Sequence, residues 1–133
     1  MNISKTNPND VAPPIGHYSH AVRVETGDCA WIYISGQVAL DEDGELVGPD
    51  DLAAQTEQVF ENLLRVLRAN GATFEDVVKV QSYVTTLEGM AESREVRRRY
   101  LPTEPPASTA VRIAELLLPG ALIEVDVVAV VAA

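Results

Sequence analysis

The tail of the chain decides its fold. It reads Pro105-Pro106-Ala107-Ser108-Thr109-Ala110-Val111-Arg112-Ile113-Ala114-Glu115, then Leu116-Leu117-Leu118-Pro119-Gly120-Ala121, then Leu122-Ile123-Glu124-Val125-Asp126-Val127-Val128-Ala129-Val130-Val131. Two β-branched runs flank a Pro-Gly turn, which predicts a hairpin. Side chains alternate along a strand. Ile123, Val125, Val127, Ala129 and Val131 therefore share one face, and Leu122, Glu124, Asp126, Val128 and Val130 the other. Two carboxylates stand on one face of a strongly apolar strand, roughly 7 Å apart by strand rise. A carboxylate in such a place is ion-paired, faces water or belongs to a site.

Upstream, Glu88 to Tyr100 reads as a charged, exposed helix stopped by Pro102, and Val77 to Thr86 as a long strand. Asp50 to Asn70 is the clearest helix. Leu52, Val59, Leu63, Val66 and Leu67 recur at helical spacing, Asp50 or Asp51 can cap the start, and Asn70-Gly71 ends it. Cys29 to Val38 is an aromatic and β-branched strand whose Gly36 marks a bulge or a close approach. Ser19 to Glu25 is the first strand expected. Residues 1–14, rich in Asn, Asp and Pro, read as an irregular arm before a single domain at 15–133. Asp41-Glu42-Asp43-Gly44-Glu45 is a tight turn, because a calcium loop needs a distal Glu that this spacing lacks. No metal site is expected.

The order strand, strand, helix, strand, helix, strand, strand (ββαβαββ) makes the fold class α+β, a mixed sheet with two helices on one face. By alternation Ile32, Ile34, Val78, Val80, Val84, Val111, Ile113, Val125 and Val127 lie beneath the helices. Trp31, Tyr33, Ser35, Gln37, Lys79, Gln81, Tyr83, Ser108, Ala110, Arg112, Glu124 and Asp126 face away. Three aromatic rings on an open face favour a subunit interface with polar pockets over a solvated sheet.

With 133 residues the chain can bury a real core. The net charge of −10 disfavours nucleic acid and anionic membrane as partners. The basic run Arg94-Glu95-Val96-Arg97-Arg98-Arg99 reads as a solvated helix face. A single cysteine, Cys29, permits no internal disulfide and suits a reducing, cytoplasmic setting. The start of the chain carries no secretory h-region.

Several short motifs then fall in one order. Ile15-Gly16-His17-Tyr18, Ile34-Ser35-Gly36-Gln37, Asn70-Gly71-Ala72, Val77-Val78-Lys79-Val80, Tyr83-Val84, Pro106-Ala107-Ser108-Thr109 and Leu122-Ile123-Glu124-Val125 together resemble the YjgF/RidA family, in register from about Pro13 to Val131. The resemblance implies a chorismate-mutase-like fold, a homotrimer with ligand clefts between subunits, and cofactor-free hydrolysis of enamines and imines to keto acids and ammonia. Some members carry an endoribonuclease label. The family's cleft tyrosine falls on Tyr18, its Ser-Gly pair on Ser35 and Gly36, and its glutamate on Glu124. The arginine that clamps a substrate carboxylate in deaminating members is replaced by Ser108. The cysteine two residues later is Ala110, the asparagine of the second helix falls near Arg94, and the proline after Gly16 is His17. The last interstrand turn is about two residues longer than in deaminating members.

Imine hydrolysis needs a protonated C=N, a positioned water and a place for the rest of the substrate. The resemblance gives Glu124 the water, as a general base, and Tyr18 the closure of the pocket. Ser35 and the Gly36 N–H would hold polar groups. A serine lacks the paired, charge-assisted bonds of a guanidinium, so Ser108 in the clamp position implies a substrate other than a simple 2-imino acid. Arg94 is the better candidate for a substitute cation, and His17 is a candidate proton source near neutral pH, against the plainer reading of an exposed loop histidine. Arg112 lies roughly 13 Å along the strand from Ser108 and is expected to pair with Glu124 or Asp126. A noncatalytic small-molecule binder is the alternative, and a ribonuclease the weaker third.

Overall fold

The computed structural model describes residues 1–133. Six strands and two helices follow in the order β1 (Asn2–Thr6), β2 (Ala21–Thr26), β3 (Cys29–Gln37), α1 (Leu52–Ala69), β4 (Val77–Val84), α2 (Met90–Tyr100), β5 (Ala107–Arg112) and β6 (Ile123–Ala132). One sheet holds all six strands in the spatial order β1-β2-β3-β6-β4-β5. Only the β4–β5 pair is parallel. The α+β class with two helices over a mixed sheet is the architecture the sequence predicts.

The core lies between the sheet and α1. Asp51 caps α1 by accepting from the Ala54 N–H at 3.0 Å. Its stripe of Leu52, Val59, Phe60, Leu63, Val66 and Leu67 packs on Ile32, Val80, Val125, Val127 and Ala129, all almost fully buried. Burying each such side chain contributes about 1.5–3 kcal/mol. Polar members of α1 fasten loops. Asn62 Nδ2 donates to the Val38 and Leu40 carbonyls at 3.1 and 2.9 Å. Gln55 Nε2 donates to the Gly48 and Gly120 carbonyls, and its Oε1 accepts from the Leu122 N–H at 2.8 Å. Gln55 thereby fixes the entry to β6.

Several expectations require correction. Residues 1–14 are not wholly irregular: Asn2–Thr6 pairs with β2 as an edge strand, and Val11 and Ala12 are buried. The tail is not a hairpin. β5 leaves α2 in a βαβ crossover and pairs in parallel with β4, and residues 113–122 then carry the chain across to insert β6 between β3 and β4.

The faces also shift. Between Val77 and Lys79 the register of β4 against β6 slips, so Val77 is buried and Val78 exposed. On β5, Ser108 pairs with the buried Val80, Ala110 with Ser82 and Arg112 with Val84, whereas Val111 pairs with Tyr83. Ser108, Ala110 and Arg112 therefore lie on the helix-side face, and Val111 on the open one, a phase opposite to the expected one. Arg112 forms no ion pair with Glu124 or Asp126; its Nε lies 3.5 Å from the Thr85 carbonyl.

Candidate functional site

β3 carries one extra residue opposite β6. Ile34 pairs with Val127 but Gln37 pairs with Val125, so Ser35 and Gly36 form a bulge. A bulge bends its strand and re-aims side chains. Here it buries Gln37, which the alternation had placed on the open face. Gln37 Nε2 donates to the Ser35 carbonyl at 3.1 Å and to His20 Nδ1 at 3.1 Å. His20 in turn donates from Nε2 to the Ala12 carbonyl at 2.7 Å. Ser35 Oγ donates to the Ser19 carbonyl at 2.7 Å, and its N–H to the His20 carbonyl at 2.9 Å. The Ser35–Gly36 corner is thus braced from both sides.

The Glu124 side chain lies against this corner. A Cβ on Gly36 would stand 2.7 Å from the Glu124 carboxyl carbon. Only glycine leaves that space. Tyr18 closes one side; its hydroxyl accepts from the Ile15 N–H at 3.4 Å, and its ring meets His20 edge-on at 6.3 Å. Tyr18, Ser35, Gly36, Leu117, Glu124 and Asp126 line a cleft of about 650 Å³, a volume suited to a small molecule. Leu117 projects into solvent from the 113–122 connection.

Burial pushes the Glu124 carboxyl above its ordinary value, and the neighbouring Asp126 charge pushes it the same way. Burial raises Asp126 as well, partly offset by the Gln81 amide, which donates to its Oδ1 at 3.3 Å. Neither acid has a cationic partner: the ion pairs of the chain engage Arg23, Arg65 and Arg98.

Of the residues singled out from sequence, Tyr18, Ser35, Gly36 and Glu124 converge on this cleft. His17 and Arg94 are exposed and do not line it. Ser108 lies on the opposite sheet face, where its Oγ accepts from Arg97 Nη2 at 2.8 Å. Sequence reasoning missed Asp126 as a lining group, although it had placed that side chain beside Glu124. It also missed Arg97. A signal lies in the spacing: Ser93, Val96, Arg97 and Tyr100 recur at i, i+3, i+4 and i+7, which sets Arg97 beside the packed stripe of α2, where Ser93 and Val96 are buried, rather than on the solvated face.

Residues 9–131 match the model of the family described as Endoribonuclease L-PSP. The chain belongs to this family, the YjgF/RidA proteins. Protein DfrA of Myxococcus xanthus is 39% identical over 123 residues, which are 92% of either chain. The 2-iminobutanoate/2-iminopropanoate deaminase of Mus musculus is 33% identical over 116 residues, 87% of this chain and 82% of that protein. RidA from the Antarctic bacterium Psychrobacter sp. superposes with a TM-score of 0.84 at 32% identity, covering 96% of this chain and 99% of that one. The sheet and helices described above are those of the RidA fold. No helix of this RidA-family chain is long and apolar enough to cross a membrane.

Proposed function

We propose that this RidA-family protein hydrolyses an enamine or imine, on a substrate distinct from simple 2-imino acids, in clefts between the subunits of a homotrimer. The observation that carries this reading is the Glu124 carboxyl, held over Gly36 in a cleft with Tyr18 and Ser35, with its proton affinity raised. A raised pKa brings a carboxylate closer to the range where it can take and return a proton.

The chemistry needs no cofactor. Water bound to the Glu124 carboxylate attacks the carbon of a protonated C=N and passes a proton to the carboxylate. The resulting carbinolamine takes that proton on nitrogen. As the C–N bond breaks the Glu124 carboxylate accepts the hydroxyl proton and passes it to the departing amine, so that a carbonyl compound and ammonium leave. Ser35 and the Gly36 backbone supply polar contacts to the substrate, and Tyr18 shields it from bulk water. Site residues and trimer alike enter through family membership, the 2-iminobutanoate/2-iminopropanoate deaminase of Mus musculus being the relative whose name supplies the reaction class. The exposed Trp31 and Tyr33 on the open sheet face support self-association. With a net charge of −10 the protein repels phosphate backbones, which argues for a small-molecule ligand over RNA and for a cytoplasmic enzyme that works away from membrane surfaces.

Ammonia release from a panel of imines and enamines tests the proposal. Turnover by the wild-type protein and its loss in Glu124→Ala, with the oligomer intact, is the expected result. Ser108 at the family's arginine position favours one alternative, a noncatalytic binder, for which the same panel would give saturable binding without product.

A further inference from the structure

Arg97 is a half-buried cation without a counter-charge. The chain has 20 acidic and 10 basic residues, yet no carboxylate lies within ion-pair distance of this guanidinium. Nη1 donates to Ser82 Oγ and Nη2 to Ser108 Oγ, each at 2.8 Å. Cζ stands 6.0 Å from the centroid of the Phe60 ring. Burial lowers the pKa of the group, as expected when charge leaves water without compensation. Charges so placed normally meet an opposite charge.

The surroundings orient the guanidinium without neutralising it. A guanidinium carries five N–H donors, and neutral hydroxyls take only two of them. Ser82 is buried and holds the inner edge; Ser108 is exposed, as is the whole of β5. While Ser108 Oγ accepts from Arg97, its own O–H remains available to donate outward. The outer edge of the pair therefore presents only donors, in the planar arrangement that suits a carboxylate.

We infer that Arg97, braced by Ser82 and assisted by Ser108, forms an anion subsite that binds the carboxylate of a small ligand. This rests on the reading of the protein as acting on small molecules, and it refines the substrate class. The ligand carries a carboxylate, but one met by a helix-borne arginine one sheet face away from Glu124. Within one protomer those two groups face opposite sides of the sheet, so a ligand held by both is shared between copies.

Titration of the full-length protein with pyruvate, followed by calorimetry or ligand-observed NMR, tests the assignment. Saturable binding by the wild type is expected, weakened roughly tenfold or more in Arg97→Gln and less in Arg97→Lys. Ser108→Ala, which leaves the arginine in place, should weaken it by roughly threefold. Saturable pyruvate binding that depends on Arg97, with no ammonia released from any imine, would sink the hydrolase reading alone; imine turnover by a wild type whose pyruvate binding ignores Arg97 would sink the anion subsite alone. Should Arg97→Gln fail to fold, Arg97→Lys and Ser108→Ala carry the test. Wild-type protein that takes up no pyruvate, binding unchanged in the Arg97 and Ser108 variants, or inorganic phosphate outcompeting pyruvate would each overturn the assignment. So would dissociation of the oligomer in Arg97→Gln, since Arg97 would then answer a carboxylate of a neighbouring subunit.

Discussion

The Glu124 carboxyl carbon lies 2.7 Å from where a Gly36 Cβ would stand, and its Cγ 2.9 Å. No side chain fits between them, so the acid rests directly on the backbone of the bulge. Glycine is needed here for close approach rather than for an unusual φ. Gly36→Ala should displace the carboxyl, costing about 1–3 kcal/mol through overpacking and most of any hydrolytic activity. Glu124→Ala in the same chain removes the colliding group, so the double variant should regain stability. Chemical denaturation of the four proteins in the cycle measures the coupling. Additive effects would show that the bulge, rather than the carboxyl, feels the methyl group.

Glu124 and Asp126 together give stability a pH dependence whose sign is fixed. Both folded-state pKa values lie above the ordinary carboxylate value. Between the unfolded and folded values the native state holds more protons than the unfolded chain, so stability falls as pH rises through that window and stays lower above it. Glu124→Gln and Asp126→Asn remove the repulsion and the desolvated charge. Each should raise Tm at neutral pH on the order of 2 °C, with the gain vanishing below both pKa values, where the wild-type acids are protonated. Thermal melts across the acid range read this directly. A variant that is less stable at neutral pH would mean that the acids are stabilising as ions. A more stable yet inactive Glu124→Gln is the pattern expected of a functional acid kept at the expense of stability.

Much of this arrangement is written locally in the chain, and what is not has a common cause. The α1 stripe and its Asp51 cap follow from helical spacing, and the buried face of β6 follows from strict alternation through Val125, Val127 and Ala129. Gly36 within an otherwise β-branched run signalled the bulge. Alternation fails wherever one residue is added or skipped, because every side chain beyond that point changes face. The bulge at Ser35–Gly36 moved Gln37 inward, and the slip near Val78 moved that valine outward. On β5 the error came from pairing it with β6 in a hairpin, when α2 instead delivers it in parallel to β4. That placement takes Ser108 out of the Glu124 cleft and sets it against Arg97. Tyr18, Ser35, Gly36 and Glu124, identified through family motifs, do gather in one cleft: Ser35 and Gly36 depend on the bulge, Glu124 on β6, and Tyr18 on the loop before β2, none of which involves β5.

Gln55 connects the core to that cleft. It is fully buried, and its amide serves the Gly48 carbonyl, the Gly120 carbonyl and the Leu122 N–H, the last two on the approach to Glu124. Gln55→Leu has a similar volume but leaves all three groups without a partner. Unsatisfied buried backbone groups cost about 1–3 kcal/mol each, partly recovered by water where the loop can open. A loss of about 2–4 kcal/mol is expected, read from the denaturation midpoint. Hydrogen exchange should show faster opening of residues 116–122 than of β6 itself. Uniform loosening of the whole sheet would instead make Gln55 a general core residue with no particular hold on the site.

The open sheet face gives the last prediction. Trp31 and Tyr33 alternate on β3 opposite Val130 and Val128 of β6, and both rings are exposed in the single chain. Aromatic and β-branched pairs so placed form a continuous apolar surface beside Glu124 and Asp126. If copies associate through it, the rings become buried and the acids lose further water. Tyr33→Glu then sets a third negative charge against that surface in the partner, which costs association far more than folding. Sedimentation should show wild-type protein as an oligomer and Tyr33→Glu as a smaller species, with the same far-ultraviolet circular dichroism. A Tyr33→Glu protein of unchanged mass would place the contact elsewhere on the molecule. A wild type that sediments as a monomer would leave the cleft bounded by one chain and remove the intersubunit site altogether.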